Sequence, residues 1–215
     1  MKRKNDDSTS LTTSVYQQFR DKMMALEIKP GSRLIEEDIA KEMGVGRTPV
    51  REALLRLQGE GLLKRSGGWV VLEIEPSMVD ETFECRLAIE GYATRLAAER
   101  ATEEDIAGLR AIAELMASNT MSRVEENKQN RLFHETIVKI SGNKIFHQIY
   151  ERTQFPYWNL RTPVIFFSKA DAESVHKMHS EIIDAIAARD ADKAERLARE
   201  HIQATFHIVR EALMQ

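Results

Sequence analysis

Apolar side chains recur every three or four positions along most of this chain, the spacing that gives a helix one buried stripe. Leu11, Val15, Phe19, Met23 and Leu26 form the first such run and predict a helix from Ser10 or Thr12 that stops before Pro30-Gly31. The charged stretch from Met1 to Ser8 has no stripe and reads as a mobile arm. Ile39, Ala40 and Met43 predict a short second helix, which Gly44 ends by accepting a positive φ. A third helix begins near Gly46 or Thr48, with Pro49 in its first turn, where a missing N–H costs nothing. Val50, Ala53, Leu54 and Leu57 are its inward stripe. Two apolar runs, Leu62-Leu63 and Trp69-Val70-Val71, then flank Gly67-Gly68 and predict a small β-hairpin.

Beyond a short extended segment ending at Pro76, the periods are helical only. They predict helices from Ser77 to about Arg100, from a Thr102/Asp105 capping box to near Ser118, and from Ser122 to Ile140 with a stop at Gly142. A fourth starts at Asn143 and fades before Pro156. An aromatic-rich loop from Pro156 to Asp171 follows, then two long helices, Ala172 to Arg189 and Ala191 to Met214. The expected fold class is mainly α: a three-helix head with a hairpin, joined to an antiparallel six-helix bundle.

Charge divides the chain at the same place. Residues 1–72 hold 13 Lys+Arg against 10 Asp+Glu, and the remainder holds 18 against 24. A basic head on an acidic body suits a nucleic-acid module fused to a domain that does not bind nucleic acid. The expected domains are 1–72 for DNA binding, 73–76 as linker and 77–215 as effector-binding and dimerising bundle. The single cysteine, Cys85, excludes an internal disulfide and suits a reducing cytosol. It reads as a packing residue rather than a reactive thiol. No apolar run approaches the roughly 20 residues of a membrane span, and the polar start lacks the apolar core of a signal peptide. The expected location is the cytoplasm.

Arg47 and Arg51, one turn apart with Thr48 beside them, fall on the face of the third helix opposite its apolar stripe. Arginine can grip guanine O6 and N7 with two hydrogen bonds, so this side chain at the start of a helix after a tight turn suggests base reading. A merely solvated face is the alternative. The run Lys29-Pro30-Gly31-Ser32-Arg33-Leu34, Glu37, Ile39-Ala40, Gly44-Val45, Arg47 to Leu54, Leu57 and Glu60-Gly61-Leu62 resembles the winged helix-turn-helix of the GntR transcription factors. That resemblance implies DNA contacts from Arg47, Thr48 and Arg51, a wing tip at Gly67 and Gly68, and phosphate contacts near Arg33 and Lys64 or Arg65. Two positions depart from the family: Gly46 stands where Ser or Thr is usual, and Glu37 where some members carry a basic DNA-contacting residue.

Three of the six histidines interrupt apolar stripes on different bundle helices. His134 lies with Ile137 and Val138, His179 with Val175, Ile182 and Ile186, and His201 with Leu197, Ala198 and Thr205. Such imidazoles need buried hydrogen-bond partners or a shared metal. His147 and His207 read as peripheral, and His176 as a pocket group. Arg86, on the buried stripe of the first bundle helix, needs an anion: either an internal acid such as Glu90, or the carboxylate of a bound effector. Asn130-Arg131-Leu132-Phe133-His134, Ser141-Gly142-Asn143, His179 to Ile186 with Arg189-Asp190, and His201-Ile202 resemble the FCD effector domain of the FadR subfamily, in its six-helix VanR-like branch. The resemblance implies a divalent metal, Zn, Ni or Mn, on His134, His179, His201 and Asn130, where the family usually has Asp. It also implies a small carboxylate effector near Arg86, Tyr92, Trp158 and His176, with Tyr157 and Arg161 as further pocket-wall candidates.

The function expected is a ligand-responsive DNA-binding regulator, a repressor acting as a homodimer on a pseudo-palindromic operator. Two alternatives are a metal-dependent hydrolase or lyase, and a regulator with a purely structural metal. Against the enzyme, Glu135 follows His134 directly and points about 100° away round the helix.

Overall fold

The computed structural model describes residues 3–24, 27–73, 78–118, 120–153 and 169–213. They form two compact units, Met1–Glu75 and Pro76–Gln215.

In the first unit, α1 (Arg3–Met24) packs its Val15, Phe19 and Met23 on α3 (Arg47–Gly59). It starts at Arg3, so most of the segment expected to be a mobile arm is helical. No Gly or Pro interrupts the run from Arg3. The Tyr16 hydroxyl donates to Glu60 at 2.8 Å, and the Arg56 guanidinium lies 3.6 Å over its ring. Burial and the Glu60 bond push its pKa up to about 12. Helix α2 (Glu36–Met43) ends at Gly44, whose φ of 63° lets the chain turn sharply into α3. Gly46 caps α3 through extended backbone with no side-chain bond, and Pro49, Val50, Ala53, Leu54 and Leu57 are buried.

A three-stranded antiparallel sheet completes this unit: β1 (Arg33–Leu34), β2 (Leu63–Arg65) and β3 (Trp69–Val71), in the order β1-β3-β2. Arg33 pairs with Val70, and Arg65 with Trp69 across a tip in which Gly67 and Gly68 take φ of 63° and 147°. The hairpin was expected and β1 was not. Two residues have no period to read, and only their partner strand defines them.

The second unit contains α4 (Met78–Arg100), α5 (Glu103–Ala117), α6 (Arg123–Ile140), α7 (144–153), α8 (Lys169–Ala187) and α9 (Ala191–Leu213). Its helix starts are capped as the residue types predict. Thr102 and Asp105 form a complete capping box, Ser122 accepts from the Glu125 N–H, and the Asn143 side chain accepts from the N–H groups of Ile145 and Phe146. Between α8 and α9, Arg189 takes a φ of 59° and Asp190 accepts from the Lys193 N–H.

Helix α4 is buried on most of its circumference, including Phe83, Ala93, Thr94, Leu96, Ala97 and Ala98, and runs along α9. Gly91 permits that approach, since a Cβ there would meet Arg199 Cγ at 2.9 Å. Leu109, Phe133, Ile137, Ile182, Ile183 and Ile186 fill the core between α5, α6 and α8. The expected aromatic loop, with Tyr157, Trp158 and Arg161, lies outside the described residues. Among the described residues, no helix is long and apolar enough to cross a membrane.

Candidate functional site

On the head, the outward face of α3 exposes Arg47, Thr48 and Arg51 together, because their positions lie opposite the buried stripe. Arg47 is held from α2: Nη1 donates to Glu37 Oε1 at 2.9 Å, and Nη2 stands 3.8 Å from Glu36 Oε2. Arg33 donates to the Ser66 carbonyl at 3.3 Å, bracing the tip formed by Gly67 and Gly68. Lys64 pairs with Glu73 at 3.3 Å, and the Arg65 guanidinium lies 3.7 Å over the Trp69 ring. A protruding helix face with a glycine-tipped hairpin in the same unit is the shape that enters a major groove and an adjacent groove or backbone.

In the bundle, α6, α8 and α9 bring His134, His179 and His201 together, all buried. His201 Nε2 lies 3.2 Å from His134 Nε2 and 3.3 Å from His179 Nε2. Two ligands bound at 2.0–2.1 Å in a tetrahedral arrangement stand about 3.3 Å apart, so the separations fit one divalent ion. One proton can bridge only one pair of these nitrogens at a time, whereas a cation takes all three lone pairs at once. The donor set therefore fits a borderline-soft divalent metal.

Glu90, on α4, fixes the first of these rings. His134 Nδ1 lies 2.9 Å from Glu90 Oε2, so its N–H donates there and its Nε2 faces the other two imidazoles. The carboxylate is gripped from the other side by Arg86, with Nε at 2.5 Å and Nη2 at 3.2 Å. Burial alone would raise the Glu90 carboxyl, but the charges and hydrogen bonds of Arg86 and His134 more than offset it and hold it down at about 2. Of the two readings of Arg86, the internal pair is the one formed. The cavity beside the triad is lined by Glu90, Thr94, His134 and His201 and by Ile137, Ile182, Ala198 and Ile202, with room for about one water molecule.

Of the other expected site residues, Tyr92 lies away from the triad. Tyr92 is exposed and meets the edge of Phe146, because two residues beyond Glu90 is about 200° round the helix. His176 Nε2 stands 3.6 Å from Glu126 Oε1 on α6. Asn130 is buried on α6 one turn before His134. Trp158 lies outside the described residues.

Residues 11–71 match the family of bacterial regulatory proteins named gntR, and residues 81–204 match the FCD domain. The chain is a GntR-family transcriptional regulator. It is 31% identical to the Nta operon transcriptional regulator of Aminobacter aminovorans over 197 residues, 88% of this chain and 90% of that one. With the HTH-type transcriptional repressor NanR of Cronobacter sakazakii it shares 25% over 224 residues, 91% and 84% of the two chains. The solved structure of Escherichia coli McbR/YncC superimposes with a TM-score of 0.83 at 26% identity, covering 94% of this chain and 97% of that one.

The proteins this regulator matches govern transcription and are not enzymes, which removes the hydrolase or lyase reading of the three histidines. In keeping with that, the half-buried Glu135 is taken up by Lys139 at 2.6 Å. In the sequence of the regulator, Glu90 stands out only as a partner for Arg86, one turn away. Its bond to His134 had no signal beyond a carboxylate one turn from a buried arginine, since pairing between helices leaves no trace in spacing.

Proposed function

We propose that this GntR-family regulator is a cytoplasmic, homodimeric repressor whose bundle holds a divalent metal and senses a small carboxylate there. The observation that supports this most is the convergence of three buried Nε2 atoms with Glu90 and Arg86 fixing one ring behind them. His134, His179 and His201 would hold the ion, Zn, Ni or Mn, with the Asn130 carbonyl oxygen as a fourth ligand. A divalent ion held there would offer a carboxylate oxygen a place to bind by expanding beyond four ligands. The protein's part is to orient the imidazoles and to enclose the site in a cavity with room for about one water molecule, so that an entering carboxylate would displace the side chains that line it. Arg86, committed to Glu90, is a positioning residue in this reading and not the effector's anchor. The repressors named NanR among the relatives support the sign of regulation.

On the head, Arg47, Thr48 and Arg51 would read bases, while Arg33, Lys64 and the Gly67-Gly68 tip contact the backbone. A homodimer requires an operator with matching twofold symmetry. Because coupling is reciprocal, a carboxylate that weakens DNA binding must itself bind DNA-loaded protein more weakly by the same factor.

The test is metal analysis of purified protein, followed by thermal-shift screening of small carboxylates with and without chelator. A carboxylate that raises the melting temperature only of metal-loaded protein, and releases a duplex enriched from a random pool, supports the sensor. Stabilisation by metal with no carboxylate response supports the purely structural metal instead. Protein that neither retains nor responds to metal refutes both.

A further inference from the structure

The DNA-reading face carries a carboxylate where its arginines need to meet phosphate or base. Glu37 is 68% exposed at its side chain, and Arg47 is 64% exposed, yet the two are joined at 2.9 Å. Behind them Glu36 Oε1 accepts from the Trp69 indole N–H at 2.9 Å, and its other oxygen stands 3.8 Å from Arg47 Nη2. The Trp69 ring carries Arg65 on its face. Glu36 is thus tied to β3, while Glu37 is a second, outer carboxylate on the same guanidinium. The dipole of α2 does not require it, since Glu36 and Asp38 already place acids in the first turn.

We propose that Glu37 is a specificity-determining residue that discriminates against phosphate-only docking. For Arg47 to bind a backbone phosphate, it must leave Glu37 and draw a second anion to within a few ångströms of that carboxylate. Like charges so placed repel in a groove where water is thinned. A guanine edge offers the same guanidinium two neutral acceptors, O6 and N7, without that repulsion. An exposed ion pair is weak, so Glu37 gives up Arg47 readily to a base. Its effect falls mainly on nonspecific complexes, which rest on phosphate contacts. Non-target duplex is therefore held more loosely than the head's net positive charge implies.

This inference rests on Arg47 being a DNA contact, and the experiment separates the two. Full-length wild type, E37Q, R47A and the double variant are titrated at several salt concentrations. The probes are a random-sequence duplex pool and the duplex that wild type enriches from that pool. E37Q is expected to bind the random pool about threefold tighter and to steepen its log K against log salt slope by about one, with a smaller gain on the enriched duplex. In the R47A background the same change is expected to vanish. R47A weakening binding while E37Q matches wild type on both duplexes overturns the role of Glu37 alone. A gain from E37Q that persists in the double variant shows a general charge effect and overturns the pairing. R47A indistinguishable from wild type on both duplexes overturns the Arg47 reading, and this inference with it. Melting curves of all four proteins check that the exposed substitutions leave the fold intact.

Discussion

At the scale of single residues, the buried relay Arg86–Glu90–His134 sets what the bundle can hold. A ligating imidazole whose far nitrogen donates to a carboxylate is fixed in tautomer and orientation, and losing that partner typically costs about 10–100-fold in metal affinity. Glu90→Gln, which keeps the shape and removes the charge, is expected to lower metal affinity by that factor in a competition titration with a chromophoric chelator. Glu90 also links stability to pH. Its carboxyl sits at about 2 in the fold against an ordinary 4.5. The stability it contributes is present above about pH 4.5 and lost as pH falls towards about 2. Thermal melts of metal-free wild type are expected to drop in that window, by an amount that Glu90→Gln reduces. That Arg86 needs an anion is legible in the sequence, because a guanidinium on an apolar stripe cannot stand alone. Which anion it takes depends on side-chain rotamers that no spacing encodes.

At the scale of elements, most boundaries were written in residue chemistry. Thr102 and Asp105 cap α5 because a short hydroxyl at the cap and an acid three residues on satisfy two helix-start N–H groups reciprocally. Thr102→Ala is expected to cost about 1 kcal/mol in urea denaturation, with metal binding unaffected. Gly44 and Gly142 stop α2 and α6 with positive φ, as expected of glycine at those ends. The elements missed are the ones without an apolar stripe. The first turns of α1 are polar, so no pattern marked them as helix, and β1 is too short to alternate. Tyr92 was named for the pocket by resemblance, although its helical phase relative to Glu90 already turned it outward.

Across the chain as a whole, charge is uneven: residues 1–72 hold 13 Lys+Arg against 10 Asp+Glu, and the remainder 18 against 24. Residues 11–71 match one family and 81–204 another. DNA affinity held by phosphate contacts falls steeply with salt, by a slope of about 0.9 per phosphate neutralised. Arg51→Ala is expected to lose about 1–3 kcal/mol on the enriched duplex and to relax specificity at one base pair, while changing binding to random duplex little. Gel-shift titrations on both duplexes check this. A loss shared equally by the two would mark Arg51 as a phosphate contact instead.

Residue order alone carries the helical periods, the capping and turn residues, the arginines on the outer face of α3, and the placing of His134, His179 and His201 on inward stripes. Periodicity fixes the angle of a side chain around its own helix, and that suffices to say which residues face inward. It contains nothing about how far one helix slides along another. Packing between elements is what brings His201 within 3.2–3.3 Å of both His134 and His179, turns Glu90 to His134 and lets Glu37 reach Arg47. Each of those depends on the axial alignment of separate elements, which packing of the core selects.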